Sequence, residues 1–147
     1  NIQAGNIGLS LSEGTLFSVG MGKRAGVFGL KMSSQLGPIE FNTIIGRDAG
    51  LGLQTVTNSV FIGREAGKSA HPVGSNSGNE NIGIGHSALL KIQGGEHNIC
   101  IGYEAGSATT ATGNHNILLG RQAGFDITTG YNNVGIGEYS DIVEGIQ

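Results

Sequence analysis

One short phrase returns along this chain, and it constrains the fold more than any other feature. It reads Asn, apolar, any residue, Ile, Gly, two polar residues, Ala, Gly. Full or near copies occupy residues 42–50, 59–67, 81–88, 98–106, 116–124 and 133–140. An earlier copy lies at 19–26, and a faint one at Ile7-Gly8-Leu9. The marker glycines are Gly22, Gly46, Gly63, Gly85, Gly102, Gly120 and Gly137, spaced by 24, 17, 22, 17, 18 and 17 residues. The base period is therefore 17 with two longer intervals. A second marker, seven residues ahead, appears as Gly78, Gly95, Gly113 and Gly130. Internal periods of this length mean stacked supersecondary units that cannot bury their apolar surface alone.

Each unit reads as a short strand between glycine corners. Apolar residues one and three places before the marker glycine alternate with the residue between them, which is the period of a strand. The flanking pair is Ile, Leu, Val or Thr in nearly every copy, and this predicts the inner face of a coil. The residue between them is Gly20, Ile44, Phe61, Gly83, Cys100, Leu118 and Gly135, never charged. A strand wetted on that side should carry polar residues there. Both faces are thus expected to be buried, one inside the coil and the other against a second copy. Ile44, Phe61, Cys100 and Leu118 are the predicted subunit contacts. The pair after the marker, such as Arg47-Asp48 or Arg64-Glu65, reads as a solvated corner.

Composition agrees with a thin repetitive core. There are 28 glycines, no tryptophan, and only 5 Phe and 3 Tyr in 147 residues. Glycine at that level without a three-residue period excludes collagen, and the regular Ile, Leu and Val argue against disorder. A net charge of −3 with no basic stripe argues against nucleic-acid binding. No apolar run is long enough to span a membrane as a helix, so direct membrane insertion is not expected. The single cysteine, Cys100, excludes a disulfide framework within one chain.

The phrase Asn-Ile-x-Ile-Gly-x-x-Ala-Gly resembles two related groups of repeats. One is the head of trimeric autotransporter adhesins, a left-handed β-roll in each of three chains. The other is the glycine- and asparagine-rich repeat of phage tail fibres, to which the corners Thr112-Gly113-Asn114-His115-Asn116 and Thr129-Gly130-Tyr131-Asn132-Asn133 are especially similar. The likeness covers 19–140 in pieces and is densest over 81–137. It implies an elongated homotrimer outside the cell, on a virion appendage or a bacterial surface. It also implies attachment to a host surface receptor, glycan or protein, without a cofactor. The second marker is absent ahead of Gly46 and Gly63, and residues 27–41 match no repeat. The expected division is an irregular or partly repeat-like segment 1–41, then an all-β β-roll or β-helix over 42–147, with about seven coils in all.

The enzymatic alternative is a hexapeptide-repeat acyltransferase, also a trimeric β-helix. Ile45-Gly46-Arg47-Asp48-Ala49-Gly50 fits one hexapeptide. The third hexapeptide of each coil fails, and the period is 17 rather than 18. Such enzymes need a histidine base, and His71, His86, His97 and His115 are present. His97 and His115 fill the same repeat position, which points to structure before catalysis. The recurring Asn42, Asn81, Asn98, Asn116 and Asn133 read as a stacked ladder rather than a metal site. The five-residue excess between Gly63 and Gly85 falls in 68–77 and must be pushed outward. Lys68, His71, Pro72 and Asn76 are accordingly the receptor-contact candidates.

Overall fold

The computed structural model describes residues 19–21, 39–53, 55–69, 78–107, 113–127 and 129–140, with backbone alone at 19–21 and 39–40. Over these the chain is all-β. The strands are β1 (Val19–Met21), β2 (Ile39–Glu40), β3 (Thr43–Ile45), β4 (Val56–Thr57), β5 (Val60–Ile62), β6 (Ile82–Ile84), β7 (Ile99–Ile101), β8 (Ile117–Leu119) and β9 (Val134–Ile136). Seven of them form one parallel sheet in the order β1-β3-β5-β6-β7-β8-β9. The register pairs Thr43 with Val60, Val60 with Ile82, Ile82 with Ile99, Ile99 with Ile117 and Ile117 with Val134. These partners sit at the repeat spacings read from the sequence. The chain is a β-solenoid that makes about five turns from β3 to β9. At the usual strand spacing the seven rungs span about 29 Å. β1 pairs with β3, so the sheet begins inside the segment set apart as 1–41.

Which face of the strands is inside is the reverse of the sequence expectation. Ile44, Phe61, Cys100 and Leu118 are at most 2% exposed and are covered by their own chain. They pack with Ala49, Ala66, Ala105 and Ala123 and with Leu53, Leu89, Ile92 and Ile127. The flanking Ile, Val and Leu residues point outward. The physical reason lies in volume. The inner row varies from Gly to Phe, and each rung's neighbours compensate. A Cβ on Gly83 would stand 3.2 Å from the Phe61 ring and 3.3 Å from Leu89, so the small residue makes room for both. A Cβ on Gly67 would overlap the Phe61 ring outright. Each large side chain buried this way contributes about 1.5–3 kcal/mol.

Glycine sets how closely the turns approach. The markers Gly46, Gly63, Gly85, Gly102, Gly120 and Gly137 all have φ between 123° and 141°, a region that side chains avoid. A Cβ on Gly102 would overlap the carbonyl of Gly120, and the same holds at Gly46, Gly63, Gly85 and Gly120. Only at Gly137, on the last described rung, is that space open.

The second corner is a hydrogen-bonded ladder. Asn81 Nδ2 donates to the carbonyl of Gly95, the marker of the next turn at the same corner, at 2.8 Å. Its Oδ1 accepts from Asn98 N at 2.9 Å and Asn98 Nδ2 at 3.1 Å, joining the next turn. Asn98 repeats this toward Gly113 and Asn116, and Asn116 toward Gly130 and Asn133. Where the second marker is missing, Ile39 and Val56 take its place and pair as β2 and β4. Asn42 Nδ2 then donates to Val56 O at 2.8 Å. Ser59 substitutes for one asparagine, its hydroxyl accepting from Asn81 N at 3.1 Å.

Two substitutions separate these constraints. Gly102→Ala adds both backbone strain and overlap and should cost about 3 kcal/mol or more. Gly137→Ala adds strain alone and should cost less, as read from melting temperatures. Asn98→Ala leaves buried donors and acceptors unpaired in two neighbouring turns. At roughly 1–3 kcal/mol for each such group, it should destabilise about as much as Gly102→Ala.

Candidate functional site: the outward sheet face and its bordering columns

The outward rows of the sheet are the most unusual surface of the molecule. One row is Thr43, Val60, Ile82, Ile99, Ile117 and Val134, and the other is Ile45, Ile62, Ile84, Ile101, Leu119 and Ile136. In the middle rungs these residues are half-buried by their neighbours along the stack, and Ile117 and Ile101 are 37% and 39% exposed. At the last rung Val134 and Ile136 reach 62% and 70%. Parallel strands normally have both faces covered. A continuous apolar face on a slender rod is the kind of surface that associates.

Two polar columns border this face. Along the corner after the strands run Arg47, Arg64, His86, Tyr103, Arg121 and Glu138, one from each rung. The Arg121 guanidinium lies 5.7 Å from the Tyr103 ring centre and 5.1 Å from that of Tyr139. It pairs with Glu138 at 2.6 Å and donates to the Tyr139 hydroxyl. A hydrogen bond with Glu104 and that carboxylate's charge raise the Tyr103 phenol above its ordinary range. The next residue at this corner turns inward with positive φ. Asp48 is buried beside Arg47 Nε at 3.3 Å, so the corner is solvated on one side only.

Along the corner before the strands run Phe41, Asn58, Glu80, His97, His115 and Asn132, all left-handed with φ of 54–59°. Their backbones are fixed by rung-to-rung bonds such as His97 N to Asn79 O at 3.1 Å and His115 N to Glu96 O at 3.0 Å. The His97 and His115 rings stack at 4.7 Å between centres and 6° between planes. His97 Nδ1 lies 2.9 Å from Glu80 Oε2.

The residues singled out from the sequence fall as follows. Ile44, Phe61, Cys100 and Leu118, expected at a subunit contact, line the solenoid interior instead. The alternation was legible, but two apolar faces carry no sign of which is inside. The size variation along the middle row, matched to glycines and alanines nearby, was the available signal. Lys68 is tied into the stack, its carbonyl accepting from Lys91 N at 2.7 Å and its Nζ 3.4 Å from Glu65. Ser69 N also donates to Leu51 O, so the stack holds the chain as far as this residue. His71, Pro72 and Asn76 lie outside the described residues. His86, His97 and His115 all sit at surface corners, His86 4.0 Å from Glu65. Among the described residues no group of three or more His, Cys, Asp or Glu is placed to hold a metal ion. Among the described residues there is no helix long and apolar enough to cross a membrane. The chain matches no known family, no curated protein and no solved structure.

Burial pushes the Cys100 thiol up to about 12. The group is almost wholly un-ionised near neutrality and shielded from reagents. Alkylation by a bulky maleimide should therefore be slow in native buffer and rapid in denaturant. Leu118→Asp should unfold the chain, with loss of the β signal in circular dichroism, rather than separate intact subunits. A folded, dissociated Leu118→Asp variant would put this row on the outside after all.

Proposed function

We propose that this chain is a non-enzymatic structural segment of a homotrimeric fibre, displayed outside the cell on a virion appendage or bacterial surface and serving attachment to a host receptor. The observation that carries the proposal is the outward sheet face. Two apolar rows run the length of the sheet, and among the described residues no second layer covers them. Three parallel copies turning this face toward a common axis cover all of it and leave the charged corners in water. That arrangement uses the opposite row from Ile44, Phe61, Cys100 and Leu118, while keeping the assembly that the repeat resemblance implies. The architecture supports a shaft or spacer, because each turn contacts only its neighbours and length follows from the number of turns. Recognition of a glycan or protein receptor is assigned to the longer interval between Gly63 and Gly85, whose sequence exceeds the repeat period by five residues.

Sedimentation tests the assembly directly. The native chain should sediment at three times its 15.0 kDa mass. Ile84→Lys combined with Ile101→Lys, both on the outward face of central rungs, should give a folded monomer. A native monomer at every concentration overturns the reading, and a dimer overturns the three-fold arrangement. Binding of acyl-coenzyme A would favour the acyltransferase alternative.

A further inference from the structure

We propose that His97 and His115 form a binding site for a divalent transition-metal cation of the zinc, nickel or copper class. Both residues occupy the left-handed corner before a strand, on consecutive rungs, and both reach solvent. The same corner is occupied by Asn58 and Asn132 with φ of 54° and 59°, so its backbone does not require an imidazole. Two adjacent histidines are therefore not explained by the corner itself.

The geometry supplies what a metal needs. Glu80 sits one rung below and accepts from His97 Nδ1 at 2.9 Å. A carboxylate in that position holds the ring and keeps the proton on Nδ1, which leaves the Nε2 lone pair as the donor. The His115 ring lies parallel to that of His97 at 4.7 Å between centres, so the two imidazoles are close enough to reach one ion once each ring turns to bring its Nε2 lone pair toward the other. Zinc–nitrogen bonds of about 2.0–2.1 Å place two ligands of a tetrahedral ion roughly 3.4 Å apart. From a stack the rings must tilt about their χ angles to bring two nitrogens to that separation, a motion open to two exposed side chains. The backbones move little, because His97 N and His115 N are held by the Asn79 and Glu96 carbonyls. Water completes the coordination. Imidazole nitrogens favour borderline cations over calcium and magnesium. Glu96 belongs to the bordering ladder, its carboxylate accepting from Asn79 Nδ2 at 3.2 Å, and takes no part as a ligand.

The site is intrachain, so its test does not depend on the oligomeric state. Zinc and nickel titrations of the full chain, followed by calorimetry and by the melting temperature, should show one site per chain. Magnesium should give no effect. His97→Asn and His115→Asn place at these corners a residue the column already uses, so metal-free stability should be near native. Each should weaken zinc binding roughly tenfold or more, and the double variant should abolish the shift in melting temperature. Glu80→Gln keeps both ligands and should weaken binding about tenfold through lost orientation. Zinc binding in the double variant equal to the native chain would place the metal elsewhere and overturn the proposal. So would the absence of any shift in the native chain at millimolar zinc.

Discussion

The stacking of one turn on the next at the strand spacing is the constraint on which everything else here depends. A turn of this solenoid has almost no structure of its own. Its strand is three residues long, far below what holds a strand in isolation. Its stability comes from lateral bonds to the turns above and below. Those bonds exist only if every turn places the same backbone atoms at the same height. The marker glycines allow the carbonyl of the next turn to approach where a Cβ would block it. The asparagine ladder meets the same demand with side chains. Each amide holds the next turn twice, Nδ2 donating to its marker carbonyl and Oδ1 accepting from its asparagine, so a buried polar row is fully used.

This arrangement divides the chain into positions with very different freedom. The glycine, asparagine and inner alanine columns repeat because the geometry repeats. The inner apolar row may change size from turn to turn provided neighbours compensate, as Phe61 does with Gly67 and Gly83. The corner columns carry Arg, Tyr, His and Glu in no fixed order, since only their backbone conformation is constrained. Side chains there stack rung upon rung in either case, which brings Arg121 between Tyr103 and Tyr139 and His97 against His115. A repeat of this kind builds ladders of whatever residue pair falls at one corner on consecutive turns. Such ladders are where chemistry specific to this chain is placed.

The outward face links the fold to its proposed role. A globular domain would cover the second side of a parallel sheet with helices. This chain has no residues left over for that purpose among those described, and beyond Thr43 its outward rows are Ile, Leu and Val. Association between copies would cover them without additional sequence. An extended assembly of this type grows in length by adding turns and in stiffness by adding neighbours, which suits a shaft.

The recurring phrase by itself determined the architecture: parallel rungs, their register, and the asparagine stack. Each followed from spacing, since a residue that returns every 17 positions must return to the same place on a coil. The spacings 17, 22, 17, 18 and 17 between Gly46 and Gly137 are the very offsets of the strand partners. Ile39 and Val56 were not recognised as the second corner because they lack its glycine, though their backbones serve the same ladder. What only the tertiary structure decided was direction. Alternation assigns Ile44, Ile45 and their equivalents to opposite faces but does not say which encloses the core, because isoleucine is at home on both. That depends on how the corners bend the chain, and the bend is a matter of left-handed residues such as His97 and Glu104, whose identities do not announce it. The interior went to the row that could vary in volume against glycine and alanine, and the rows made almost wholly of Ile and Val were left facing outward.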